Sequence, residues 1–482
     1  MQKQQGMPIP GPKERFLVGS AQEFDSHGPD FLVHLAEEYG DIAKFSMLGM
    51  KFVVLATPEL IREVLITKAK IFPKAHHDIA VLTRVIGRGL VTTEGDEHKQ
   101  QRKLAQPAFH AKRIRSYADT MVDYTAQLVD GWHPGETRDL SQEMSRLTMY
   151  IVVKTLFDVD YQTLADTADE IGDAVHVLQD TADNDFGFPI TLPDWVPTPL
   201  ARRRKKARKV VDAIIDQMMA ERRGAAENGV VEDRGDLMSM LLMSTDEDGN
   251  TMNDVELRDQ LLTLFLAGHE TTSNALVWTW YALSQNPDVE QKLHDELDRV
   301  LAGRLPTLAD LPNLPYAEMV LKESMRLYPP VWTINFREPT EDTTVGGYAV
   351  PKGTQMFISP YMMHRLERYW EDPLAFRPER FLPEKEAEMP KYLYMPFGAG
   401  ARICIGNSFA MMEAHLILAT IAQQYKLTLD PEQRIGQLPR ITMSPTYGMK
   451  MMLEKRRATN MDIKAEMNVD IAETQERVLA FA

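Results

Sequence analysis

The sequence predicts a mainly α fold with small β-sheets. Apolar residues recur at helical spacing from Pro58 to about Ala182 and again through much of the second half of the chain, the pattern of amphipathic helices packed on a core. Strand-like alternation is confined to short segments bounded by Gly and Pro, which limits any sheet to a few short strands. No internal repeat, low-complexity linker or break in composition divides the 482 residues.

Taken in order, the chain up to about Val54 mixes Pro-rich coil with alternating segments starting at Ile42 and Lys51, which suggest a small hairpin. Thr181 to Leu200 combines prolines with Phe186, Phe188 and Trp195 and reads as a long loop between helices. The next helix opens with seven basic residues in eight, Arg202 to Lys209. Such a run is a solvated face, or a contact for anionic lipid or an acidic partner. Asn253 and Glu256 have the spacing of a capping box and the next breaker is Asn286-Pro287, so one helix of roughly 32 residues is expected, about 48 Å long. A helix crossing the molecule must be apolar nearly all round. Leu261–Ala267 and Ala275–Leu283 meet that demand, while Gly268-His-Glu-Thr-Thr-Ser-Asn274 interrupts it with polar groups. Helices over Val289–Leu301 and Tyr316–Leu327 follow, then β-like residues from Thr343 to Ser359 with turns at Gly346-Gly347 and Pro351-Lys-Gly353.

Composition narrows the function classes. Hydrophobic residues at 44% and charged ones at 26% allow a large core without disulfides or metal staples. Lys plus Arg at 54 against Asp plus Glu at 70 gives a net charge of -16, which argues against a nucleic-acid partner. No apolar run reaches the ~18 residues a membrane helix needs, and the opening residues lack a signal-peptide core. A cytoplasmic protein without a transmembrane anchor is therefore expected. One cysteine excludes an intramolecular disulfide framework and leaves a single thiol to explain.

That thiol sits in Phe397-Gly-Ala-Gly-Ala-Arg402-Ile-Cys404-Ile-Gly406, just ahead of a helical stretch. Glycines let backbone approach a bulky planar group and leave N–H groups free to point at sulfur, while a helix N-terminus beyond favours the anion. A lone cysteine in a glycine-rich turn is otherwise usually inert. In the long helix, Glu270 beside Thr271 pairs an acid with a hydroxyl that can relay protons in a dry pocket. A zinc-protease reading of His269-Glu270 fails, since the second His would have to stand where Ser273 does.

Phe-Gly-x-Gly-x-Arg-x-Cys-x-Gly resembles the haem-binding loop of the cytochrome P-450 superfamily. Glu323-Ser-Met-Arg326 is similar to the family's Glu-x-x-Arg, and Phe376-Arg-Pro-Glu-Arg380-Phe381 to its Pro-Glu-Arg-Phe segment, in the family's order. The resemblance implies a buried charge network of Glu323, Arg326 and Arg380, and a haem b whose iron is ligated by Cys404. It makes Ala267–Thr272 the oxygen-activating stretch, with Glu270 and Thr271 catalytic. Phe397 and Arg402 would contact the cofactor, with His98, Arg102 and Arg337 as further partners, chiefly for the propionates. His98 departs from many relatives, which carry Trp there, and matches soluble bacterial members.

The likeness spans about residues 10 to 455, so one haem domain over 1–455 is expected, with a tail of unknown role over 456–482. No flavin or ferredoxin module remains within it, so electrons would come from a separate ferredoxin or flavodoxin. The implied reaction is insertion of one oxygen atom of dioxygen into an apolar small molecule, by hydroxylation or epoxidation. The central helix and the Pro-Glu-Arg-Phe region look closest to fatty-acid hydroxylating members, while terpenoids, steroids and macrolides suit the same walls. Those walls are expected at Ile79–Leu82, Phe186–Trp195, Leu266, Ala267, Val331, Ile334 and Met443. A peroxide-driven peroxygenase or isomerase, and a non-catalytic haem sensor or carrier, are the rival readings. Replacing Cys404 with His should abolish the strongly red-shifted Soret band of the reduced carbonyl complex. A spectrum that kept this band would overturn the ligand assignment.

Overall fold

The computed structural model describes residues 6–13, 15, 18–160, 168–188, 191–193, 195–224, 232–245, 249, 251–334 and 336–456. Its layout follows from one helix that has to be apolar on nearly every side. This helix, Asp254–Gln285, begins where Asn253 Oδ1 accepts the N–H groups of Val255 and Glu256 at 3.0 Å each, and Glu256 Oε2 accepts the Asn253 N–H at 2.9 Å. It stops at Asn286, ahead of Pro287, as a residue with no N–H to donate requires. Buried Leu, Phe and Trp side chains occur on all its faces, so neighbouring elements pack around it.

The closest neighbour is the helix Leu140–Phe157. Thr148 donates to the His269 carbonyl at 2.9 Å, and a Cβ placed on Gly268 would lie 3.2 Å from Val152 Cγ2. Gly268 therefore lets two helices approach closely, a role its local sequence does not announce. Further along, Trp278 stacks on Tyr328 at 4.7 Å and donates its indole N–H to the Met443 carbonyl at 3.0 Å.

The expected hairpin forms from β1 (Ile42–Met47) and β2 (Met50–Leu55), antiparallel with Ile42 opposite Leu55; β2 also pairs in parallel with β3 (Gln355–Phe357). A second sheet joins Thr137–Asp139, Lys450–Lys455 and Tyr425–Leu429, and two further hairpins join Thr343–Val345 to Tyr348–Val350 and Gln437–Pro439 to Met443–Pro445.

One boundary differs from expectation. The helix Ala168–Phe186 runs into the stretch expected as loop, with Thr181 fully buried and bonded to the Leu178 carbonyl at 2.9 Å. The prolines begin only beyond Gly187, so nothing interrupts the backbone ladder before it. Trp195 is 83% exposed. The basic run lies in the helix Pro199–Gly224, where Arg204 pairs with Asp185 at 2.8 Å and Arg208 with Asp212 at 2.6 Å, leaving Arg202, Lys205, Lys206 and Lys209 exposed. Of the expected tail, Arg456 donates to the Ala422 and Gln423 carbonyls and pairs with Asp298; residues 457–482 lie outside the described residues. No described helix is long and apolar enough to cross a membrane.

The expected charge network is present. Glu323 and Arg326, both fully buried on the helix Pro315–Leu327, form a forked pair at 2.7 and 2.9 Å. Arg326 also donates to the carbonyls of His364, Pro373 and Ala375, while Glu323 accepts from Arg380 at 3.2 Å and from the Arg377 N–H at 2.8 Å. Every charge is answered, which is the condition for tolerating ions in a core. Glu323→Ala leaves Arg326 uncompensated and should cost about 3–5 kcal/mol, read as a lower urea midpoint. An unchanged midpoint would show that the carbonyls alone satisfy Arg326.

Candidate functional site

A cavity of about 750 Å³ opens inside the helical body, walled by the polar stretch of Asp254–Gln285, by the Cys404 loop and by residues 330–334, 336 and 337. Cys404 N–H donates to the Phe397 carbonyl at 3.0 Å and Ile403 N–H to that of Gly400 at 3.1 Å, curling the loop into a closed turn. Gly398 and Gly400 take positive φ, 71° and 72°, and a Cβ at Gly400 would lie 2.9 Å from the Leu65 carbonyl oxygen. Only glycine meets both conditions there. Phe397 and Cys404 both line the cavity, so the thiol is open on that side while protein crowds it elsewhere. Burial pushes its pKa up; the Gly406 N–H and the Arg102 charge act in the opposite direction.

Cations gather at the same cavity. Arg337 is buried, and its guanidinium makes no hydrogen bond or ion pair among the described residues. Arg402 pairs through Nη2 with Glu94 at 2.7 Å, and its buried Nη1 has no hydrogen-bond partner. Burial holds both guanidinium groups below their usual range. Arg102, on the helix Gly95–Ala105 with His98, donates to the Ile403 carbonyl at 2.8 Å; His98 is buried and faces the cavity too. Arg102 thus braces the cysteine loop itself.

Two further residues, absent from the sequence reading, complete this group. Lys74 is buried and donates to the carbonyls of Leu90, Val91 and Thr93, with Glu94 at 3.7 Å. Burial, with Arg402 and Arg337 nearby, lowers its pKa to about 7. Glu94 joins Lys74 to Arg402. Two carboxylates, Glu94 and Asp78, act on three buried or half-buried cations, and Arg402 Nη1 is left without a partner, which calls for a further anionic group. Haem propionates meet that demand and the cysteine faces the same space, so the residues present fit the group.

Glu270 and Thr271 both line the cavity but point their polar atoms apart. Thr271 Oγ1 donates to the Ala267 carbonyl at 2.7 Å, whereas Glu270 accepts from Thr442 Oγ1 at 2.7 Å and from Gln179 Nε2. No hydrogen bond joins the two among the described residues. Burial pushes the Glu270 carboxyl up, reinforced by Asp183 and opposed by Thr442.

Residues 9–451 match the family model for cytochrome P450. The chain belongs to the cytochrome P450 family. Its relatives include cyclooctatin synthase of Streptomyces melanosporofaciens, 36% identical over 87% of this chain and 89% of that protein. Cyclooctat-9-en-7-ol 5-monooxygenase of the same organism is 35% identical over 81% and 83%. Pentalenene oxygenase of Streptomyces avermitilis is 31% identical over 91% and 96%. As a P450 monooxygenase, this enzyme is an oxidoreductase that uses haem iron, dioxygen, redox partner proteins and an apolar substrate.

Around the P450 cavity the expected walls are met in part. Leu82, Phe186, Gly187, Leu266, Ala267, Val331 and Ile334 line it. Ile79 to Val81 and Met443 are not among its lining residues, and Phe188, Leu192 and Trp195 are exposed. Val81 and Met443 are fully buried in the core behind it. Lys74 carried no readable signal, because a lysine after Phe72-Pro73 looks like any loop lysine until folding encloses it. Glu94 carried a faint one, an acid directly before the His98 helix.

Proposed function

We propose that this P450 hydroxylates or epoxidises a cyclic, unsaturated hydrocarbon skeleton of the terpenoid class, with haem b as cofactor and a ferredoxin or flavodoxin as electron donor. The observation that carries the reading is the single thiol opening onto an apolar cavity it shares with the buried Arg337 and the unpaired Nη1 of Arg402. Relatives named for cyclooctat-9-en-7-ol and pentalenene support a cyclic alkene, over the fatty-acid likeness read from two sequence segments. We assign residues 1–455 to the one haem domain. A reducing cytoplasm suits an enzyme whose only cysteine must stay a free ligand.

Cys404 would ligate the haem iron through its sulfur. Arg337 and Arg402, with His98 and Arg102, would hold the propionates, and Phe397 would pack on the ring. When bound, the haem supplies the oxidising chemistry that inserts one oxygen atom of dioxygen into a C–H or C=C bond. Leu266, Val331 and Ile334 keep bulk water away from that chemistry.

Proton delivery falls to Thr271 and Glu270. The Thr271 hydroxyl is parked on the Ala267 carbonyl, a bond weak enough to exchange for one into the cavity. Glu270, with its pKa raised, keeps a proton closer to neutral pH than an exposed carboxyl would. Since no hydrogen bond joins the two, a water between them completes the path to Thr271 Oγ1.

With surrogate redox proteins, the wild type should consume NAD(P)H in a dioxygen-dependent manner. Thr271→Ala should keep haem and substrate affinity but turn more oxygen into peroxide or water. Product per NAD(P)H should fall, each tenfold loss corresponding to roughly 1.4 kcal/mol of relative barrier. Coupling equal to wild type with an intact haem spectrum would assign the proton to another group. The exposed Lys99, Lys103 and Lys391 would form the rim for an acidic donor. Stopped-flow measurement of Lys103→Glu should show slower electron transfer at low salt and a smaller effect at high salt; an unchanged low-salt rate would place the docking surface elsewhere.

A further inference from the structure

The cavity carries a second polar group, separate from the cations that suit a haem. Gln179 and Asp183, one turn apart on Ala168–Phe186, line it together with Glu270 of the central helix and with Arg440 and Thr442 of the late hairpin. Glu270 accepts one hydrogen bond on each oxygen, from Thr442 and from Gln179. Asp183 accepts the Ile441 N–H at 3.1 Å on Oδ1 and faces Arg440 Nε at 3.4 Å on Oδ2. A carboxylate has about four lone-pair sites, so each acid keeps acceptor capacity. Gln179 has a second N–H to give. On the same cavity, His77 Nε2 is buried without a hydrogen-bond partner among the described residues, its ring edge-on at 6.1 Å to Phe186 of the helix that carries Gln179 and Asp183.

Charge selects what such an end can hold. Wherever either acid is ionised it repels a carboxylate, which argues against a fatty-acid head group here. Burial disfavours charge on both acids, lifting Asp183 to about 6 and raising Glu270, and Arg440, bonded to Asp180 at 2.8 Å, offsets Asp183 in part from 3.4 Å. A cation is therefore not required either. A neutral group that both donates and accepts matches the open acceptors of Asp183 and Glu270 and the spare N–H groups.

We infer that this end of the P450 cavity binds a hydroxyl on an otherwise apolar substrate, so that the enzyme acts on an alcohol in preference to the bare hydrocarbon. The inference rests on the monooxygenase reading above and narrows its substrate class. It also places the enzyme after a reaction that installs that hydroxyl, either an earlier oxygenation or a cyclisation ended by water. Because Glu270 belongs to both the hydroxyl site and the proton path, the bound alcohol would hold its carboxyl on the side of Gln179 and Thr442.

The test titrates the haem-loaded enzyme with cyclooctanol, cyclooctyl methyl ether and cyclooctylamine, following the Soret shift. The wild type should bind the alcohol about tenfold more tightly than the ether, which lacks the donor; a tenfold ratio is about 1.4 kcal/mol. In Asp183→Leu that ratio should fall toward one. Equal affinities for alcohol and ether in the wild type overturn the proposal, as does a ratio that Asp183→Leu leaves unchanged. An amine that binds more tightly than the alcohol without the red Soret shift of a nitrogen ligated to iron also overturns it, in favour of a cation site. The wild-type comparison needs no variant, so it decides even where Asp183→Leu loads haem poorly. The red-shifted reduced carbonyl band of the same samples reports the haem-thiolate reading independently, so the two failures are told apart.

Discussion

Charge buried in an apolar interior governs this protein. A lone ion in such a place costs several kcal/mol unless partners surround it, and the chain meets that demand in two distinct ways. Around Glu323 the account closes entirely within the protein: Arg326 and Arg380 pair with the carboxylate, and three carbonyls take the remaining Arg326 donors. Around the cysteine loop it does not. Glu94 answers Arg402 and Lys74 only in part, and Arg337 has no hydrogen bond or ion pair among the described residues. The first cluster is satisfied within the protein; the second leaves a buried donor on Arg402 open to an anion.

The central helix shows how one polar interruption serves several neighbours at once. Successive residues on a helix point about 100° apart, so the polar stretch fans out. Gly268 admits Val152, the His269 carbonyl receives Thr148, Glu270 turns to Thr442 and Gln179, and Thr271 bonds back to Ala267. The acid and the hydroxyl are adjacent in sequence yet engage different partners. This separation joins Glu270 to Gln179 and Thr442 across the cavity and keeps the Thr271 hydroxyl on its own helix.

How much could be read in advance depended on the range of each interaction. The capping box at Asn253, the hairpin at Ile42–Leu55 and the Glu323–Arg326 pair are set within a few residues, and all three formed as expected. The helix end at Phe186 was misplaced, because aromatic and acidic residues before Gly187 resemble loop composition but do not break a helix whose inner face is buried. The walls offered at Ile79–Val81 and Met443 lie outside the cavity lining, since a local segment does not reveal which of its faces meets empty space.

The sequence by itself determined the family, the sole thiol and the glycines that shape its loop, because ligand spacing and backbone freedom are local properties of the chain. Only the tertiary structure decided what surrounds that thiol. Lys74 and Glu94 join Arg402, more than three hundred positions away, and Asp183 and Gln179 meet Glu270 and Thr442 across three separate elements. Desolvation and pairing act through space, so how far a lysine's pKa is lowered or a carboxyl's raised is fixed only when distant segments close around it.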